Sequence, residues 1–250
     1  MAIQKTEALI LRSIKLGETS KILTLFTRDY GVEKVVAKGS RSTKSRYWGT
    51  LELYNHISIV FYNKPNRDLQ LLSQAEIVNS FQAIRKDLNK TAFALALCEI
   101  ISRTQMPSDA NPVLFNLLIS TLAAINASPN PPLTSFLGFQ VKFLNITGVH
   151  PDLQKCLKCN RPLTNEPVLF EPNDGGIICE NCSAHLAGIA LSAKGLRFLN
   201  WLGRNEALEI SRHALPIEIL QEAEKVLEVY TKYHIEGLEK INSLRFLSQI

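Results

Sequence analysis

The chain has 250 residues, 46% of them hydrophobic and 20% charged. That is enough for one or two domains of ordinary size, and the composition excludes a disordered, fibrous or collagen-like chain. The formal net charge of +5 is mild but unevenly placed. Residues 1–80 hold twelve Lys and Arg against seven Asp and Glu, whereas residues 81–250 hold 16 of each. The whole excess therefore lies in the first third, which predicts a basic module for polyanions joined to a neutral body.

The opening MAIQKTEALILRS lacks the uninterrupted apolar stretch of a signal peptide, and no segment approaches 18 consecutive apolar residues. Four of the five cysteines form two CxxC pairs, which suits a reducing compartment and a metal better than disulfides. A cytoplasmic protein without membrane attachment is expected.

Strands are predicted over 6–15, 20–29 and 32–38, with Tyr30-Gly31 as a turn. A basic linker over 39–50 follows, then strands over 51–62 and 69–78 separated by Asn63-Lys64-Pro65-Asn66 turn chemistry. Five short strands in about 75 residues fit a small barrel, OB-like or SH3-like. After residue 80 the period becomes helical. Helices are predicted over 91–103, over 113–126 behind an Asn111-Pro112 start, over 133–146 with Gly148 as a stop, over 192–202, and over about 216–235. The last carries a clean apolar stripe of Ile217, Leu220, Ala223, Val226, Leu227 and Tyr230, with Glu218, Glu222 and Glu236 on its solvated face.

The sharpest motif is Cys156-Leu157-Lys158-Cys159, nineteen residues, then Cys179-Glu180-Asn181-Cys182. Two such knuckles can close a tetrahedral S4 shell around one structural Zn²⁺, with no position open for catalysis. The insert supports this, because 167–171 and 176–178 flank Asn173-Asp174-Gly175 as a hairpin would. A redox pair at Cys156/Cys159 or a degenerate site without metal are the alternatives; His185 is a surplus donor, and Cys98 reads as a buried small hydrophobe.

The second motif is KVVAKGSRSTKSRYWGT, residues 34–50, with Lys34, Lys38, Arg41, Lys44 and Arg46, no acid, and Tyr47-Trp48 at its close. Cationic side chains on a flexible loop suit phosphates, and neighbouring aromatics can stack on unpaired bases. The other reading is a solvated loop whose aromatics turn into the barrel. Phosphate loops, dinucleotide fingerprints, nucleophile elbows and HExxH are lacking, the five histidines are scattered, and no catalytic constellation appears.

Nearly the whole chain resembles the bacterial RecO family. The carrying segments are EALILRSIKLGETSKILTLFTRDYG, VVAKGSRSTKSR, SQAEIVNSF, the two knuckles around FEPNDGGIICENC, and YTKYHIEGLEKINSLRFL. The resemblance implies an α+β protein: a five-stranded OB-fold barrel over 1–80, then a mostly α-helical domain over 81–250 with a four-cysteine, zinc-ribbon-like insert at about 150–188. It implies a non-enzymatic recombination mediator of the RecF pathway that answers DNA damage by binding single- and double-stranded DNA and annealing complementary strands. With RecR, it would help RecA displace single-strand-binding protein, whose acidic C-terminal tail would dock in the helical domain. Lys38, Arg41, Lys44 and Arg46 would contact DNA, and a nucleoid-associated location follows. The rival reading is an adaptor that binds only proteins, its basic loop incidental.

Overall fold

The computed structural model describes residues 2–64, 67–107 and 109–245. They group into two compact units: the chain up to Asn126 together with the segment from Ile241 onward, and Ala127–Lys240.

In the first unit β1 (Ala2–Leu16), β2 (Ser20–Thr27), β3 (Gly31–Ala37), β4 (His56–Asn63) and β5 (Gln70–Asn79) form a closed barrel ordered β1-β2-β3-β5-β4. β1 returns to pair with β4, and the β3–β5 contact is the one parallel pairing. This order is that of an OB-fold, which strand count alone left open. The period of two sets the inside: Ala8, Ile10, Leu23, Leu25, Val35, Ile57, Ile59 and Phe61 are fully buried in the barrel. β1 serves two partners, pairing with β4 over its first half and β2 over its second; a one-residue register shift between Ile10 and Arg12 bends it from one to the other.

The largest change in a strand bound is at β4. The fourth strand begins at His56 rather than Leu51. Tyr54 sits at φ 50, and the Asn55 side-chain amide donates to the carbonyls of Gly49 and Thr50, so 51–55 closes on itself. Of the turn expected at 63–66, Pro65 and Asn66 lie outside the described residues; Gln70 ties its flanks, accepting from Lys64 N–H at 2.8 Å and donating to the Arg67 carbonyl at 2.7 Å.

The helices of this unit are α1 (Gln82–Arg85), α2 (Leu88–Thr104) and α3 (Pro112–Ala127). α2 starts three residues before the expected Thr91 because the Asp87 side chain caps it, accepting from Lys90 N–H at 3.0 Å. Asn111 caps α3 in the same way through Leu114 N–H, 2.9 Å, with Pro112 in the first turn as the sequence predicts. Phe115 of α3 meets Phe26 and His56, with ring centroids 5.7 and 5.8 Å apart, so the outer side of the barrel is also apolar and covered. Cys98 on α2 is buried, and burial pushes its thiol up to about 12. The chain returns to this unit at α8 (Asn242–Arg245), where the Glu99 carboxylate accepts from the N–H groups of Asn242 (3.0 Å) and Ser243 (2.9 Å).

The second unit packs α4 (Leu133–Ile146), α5 (Ala193–Arg204), α6 (Ala207–Arg212) and α7 (Ile217–His234) with a sheet of β6 (Asp152–Cys156), β7 (Val168–Glu171), β8 (Gly176–Cys179) and β9 (Ile189–Leu191), ordered β6-β8-β7-β9. The hairpin expected around residues 173–175 is β7–β8, in register from Val168↔Cys179 to Glu171↔Gly176. The α7 stripe is buried from Leu220 to Tyr230, but Ile217 at its start is half exposed. Glu222 is not a solvated acid: its carboxylate accepts from Ser192 N–H and Oγ at 3.0 and 2.7 Å, while Ser192 Oγ caps α5 through Gly195 N–H. No helix among the described residues is long and apolar enough to cross a membrane.

The β2–β3 turn is the tightest approach in the first unit. Gly31 lies at φ 69, and a Cβ there would stand 2.6 Å from the backbone N and O of Asp109. Gly17, at φ 56 in the β1–β2 turn, faces open space. Gly31→Ala should therefore cost about 2–4 kcal/mol, the left-handed strain plus a backbone collision, and Gly17→Ala only the strain, about 1–2 kcal/mol. Urea unfolding of the two variants measures both.

Candidate nucleic-acid interface and metal centre

The connection between β3 and β4 is a chain of turns rather than a flexible linker. Ser42 N–H donates to Gly39 O, Ser45 N–H to Ser42 O, Trp48 N–H to Ser45 O and Thr50 N–H to Tyr47 O, at 3.0–3.3 Å. Arg41 stitches this chain to the β1–β2 turn, its backbone N–H donating to Thr19 O (2.8 Å) and its guanidinium to Gly17 O (3.0 Å).

Lys34, Lys38, Arg41 and Lys44 are exposed, and none pairs with a carboxylate. Lys21 on β2 shows the contrast: its ammonium is 3.3 Å from both the Glu52 carboxylate and the Leu51 carbonyl. Without a carboxylate partner among the described residues, these four cations present unneutralised charge along one strand and the turns after it, chemistry suited to phosphate oxygens.

Tyr47 has a different role from the one its sequence position suggests, and the exposed Arg46 makes contacts within the fold. Tyr47 is only 4% exposed and belongs to the barrel core; its hydroxyl donates to the Ser73 carbonyl at 3.1 Å. The Arg46 guanidinium donates to Tyr47 Oη (2.9 Å) and Ser73 O (2.6 Å) and lies 4.9 Å from the Tyr47 ring centroid. A ring held in the core cannot stack on a base, so Tyr47 anchors the loop. Trp48, whose side the sequence left undecided, is 81% exposed. Lys15 escaped sequence reasoning: it lies over twenty residues upstream, exposed at the end of β1 beside the turn that Arg41 grips. The hairpin signal around Gly17 could have found it.

In the second unit Cys156, Cys159, Cys179 and Cys182 place their Sγ atoms within 4.8 Å of one another, and His185 is not among them. β6 delivers Cys156, and its knuckle closes through Asn160 N–H to Cys156 O (2.9 Å), with Asn160 at φ 63. β8 delivers Cys179, and a single 3₁₀ turn, Glu180–Cys182, brings Cys182 back. Cys159 Sγ lies 3.8 Å from Cys179 Sγ. A tetrahedron with metal–sulfur bonds of about 2.3 Å has edges of about 3.8 Å, so the donor set fits a dication of that preference. The N–H groups of Lys158 and Cys179 both point at Cys156 Sγ, 3.4 Å away. Burial opposes ionisation of Cys156, but these and neighbouring donors outweigh it and bring the thiol down to about 6. Hydrogen bonding to Cys179 and Cys159, with burial, pushes Cys182 up to about 12. Sulfurs this close resist carrying charge together, and a bound cation reverses that.

A family model described as Recombination protein O N terminal matches residues 1–81, and one described as Recombination protein O C terminal matches residues 85–245. Similar curated proteins carry the name DNA repair protein RecO. The protein of Desulfatibacillum aliphaticivorans is 34% identical over 98% of this chain and 96% of its own. That of Dehalococcoides mccartyi is 32% identical over 93% and 90%. That of Caldanaerobacter subterraneus is 32% identical over 94% of both.

Cobalt(II) reports the cluster's capacity directly. One equivalent per chain should give the thiolate charge-transfer and visible bands of a tetrahedral S4 site, with proton release on binding, and Cys179→Ser should abolish the S4 spectrum.

Proposed function

The chain belongs to the RecO family of DNA repair and recombination proteins, and from that premise we propose that it is a non-catalytic recombination mediator. It binds single- and double-stranded DNA through the barrel and anneals complementary strands. With RecR it assists RecA onto DNA coated by single-strand-binding protein. The observation that carries this reading is the set of exposed cations without a carboxylate partner among the described residues, Lys34, Lys38, Arg41 and Lys44, on an ordered barrel surface free of acids from 34 to 50. Two DNA strands repel each other; a basic surface that screens both raises their rate of encounter without bond chemistry or a nucleotide. The work is in the cytoplasm, at the nucleoid.

One zinc ion per chain fills the cysteine cluster as scaffold, since four thiolates leave no ligand position for water. The acidic tail of single-strand-binding protein finds matching charge in a groove of about 640 Å³ in the second unit. Lys194, Arg197, Arg204 and His213 line it beside Phe198 and Trp201, and no carboxylate does.

Fluorescence anisotropy with a short labelled single strand at several salt concentrations tests the DNA reading. Four phosphate contacts should give a slope of log affinity against log salt of about −3. The K38E/R41E pair should weaken binding to every sequence alike and make the slope shallower by about 0.7 for each phosphate no longer engaged. An affinity indifferent to salt and to that double substitution would leave the protein-only adaptor as the better reading. Elemental analysis should find about one zinc per chain, and its removal by a chelator should lower the thermal stability of the second unit.

A further inference from the structure

We propose that Trp48 is a base-stacking residue that makes the barrel's phosphate-binding loop discriminate unpaired from paired DNA. This rests on the DNA-binding reading and adds to it a term that phosphate contacts do not supply, because cations meet the same backbone charge whether or not the bases are paired.

Adjacent aromatics are divided between core and solvent. Tyr47 is 4% exposed and Trp48 81%. Burial of one fixes the other, since successive side chains on this tight turn leave the backbone in different directions and Tyr47 is held by its hydroxyl at Ser73 and by the Arg46 guanidinium. The Trp48 backbone is fixed as well, with its own N–H on Ser45 O and Thr50 N–H on Tyr47 O. The indole therefore rides on a backbone already held by hydrogen bonds, and binding has little backbone entropy left to remove.

The indole contributes nothing to the fold. It makes no hydrogen bond, ring stack or cation–π contact with any described residue, the nearby Arg46 cation being spent on Tyr47. Gly49 beside it lies at φ 70, and a Cβ there would meet nothing within 4 Å, so the space around the tip is open. The nearest cations in sequence are Lys44 and Arg46, and Lys38, Arg41 and Lys44 are exposed with no carboxylate partner among the described residues. A single flat ring among exposed cations has the composition of a single-strand binding surface, where charge follows the backbone and a π-face takes the bases. A protein partner would call for a contiguous apolar patch, which one ring in a loop of Ser, Thr, Lys and Arg does not make. Duplex bases already stack on each other and offer this ring no face.

The test compares Trp48→Ala, Trp48→Phe and the parent protein on three probes of equal length: a single strand, a duplex, and a single strand whose bases are replaced by abasic sites. Trp48→Ala should bind the single strand about 5- to 150-fold more weakly, the range for losing one stacked base. It should differ less than twofold from the parent on the duplex and on the abasic strand, and Trp48→Phe should recover most of the loss. In a Trp201→Phe background, which leaves Trp48 as the sole tryptophan, the single strand should quench the emission and shield it from iodide, and the abasic strand should do neither. Equal loss on all three probes, or none on the single strand, would overturn the stacking role. A parent protein that binds none of the probes would instead overturn the DNA-binding reading beneath it. Unchanged melting temperature in Trp48→Ala, expected for so exposed a side chain, separates either result from misfolding.

Discussion

A five-stranded barrel leaves a hollow that its own strands do not fill, and here the β3–β4 connection fills it. Tyr47 and Leu51, both from that connection, are buried in the same core as the inward residues of the strands. Everything presented by the connection follows from that plug. A segment pinned at its far end by Tyr47 and at its near end by Arg41 on the β1–β2 turn has little freedom left. Its lysines then project from a surface of defined shape. A long solvated tether would have to lose the corresponding entropy on each encounter with a ligand. The packing of the core and the presentation of charge are one problem with one solution.

The two units manage charge in opposite ways. The first occupies several of its acids away from the 34–46 cations, Glu52 with Lys21, Glu7 with His56, and Glu99 with Arg103 and α8. Lys34, Lys38, Arg41 and Lys44 are left exposed without a carboxylate partner among the described residues. The second unit gathers four thiols within a few ångströms, a concentration of incipient negative charge that only a cation makes comfortable. One surplus is spread over exposed side chains, and the other is gathered at one point, where Cys156 and Cys179 are buried and Cys159 is exposed. This is why the first reads as an interface and the second as scaffold.

Much of this was legible in the sequence where a local rule acted alone. Asn111-Pro112 announces α3 because a cap and a first-turn proline need nothing from the rest of the chain. The CxxC spacing announces the cysteine cluster because knuckle geometry is local. The barrel strands show through their period of two. What was not legible depends on partners distant in sequence. Glu222 looks like a solvated helix acid until Ser192, thirty residues away, takes its carboxylate. Tyr47 and Trp48 sit in a connection without period, so nothing local says which is inside. β9 and α6, of three and six residues, are too short for any periodicity to register. The start of β4 was misplaced because Leu51 and Leu53 alternate like a strand while Asn55 folds the backbone back on itself.

The return of the chain at α8 also makes the second unit an insertion within the first. A polypeptide leaving the ribosome presents the barrel and α1–α3 early, yet the donors that satisfy Glu99 arrive only with residues 242 and 243, after all of Ala127–Lys240 has been made. Until then that carboxylate, half sheltered on α2, has Arg103 but not the N–H groups it ends with. The unit begun first is thus completed last. Residues 242 and 243 thus join the first unit only after the whole second unit has been made, so a product terminated within Ala127–Lys240 carries the barrel without them.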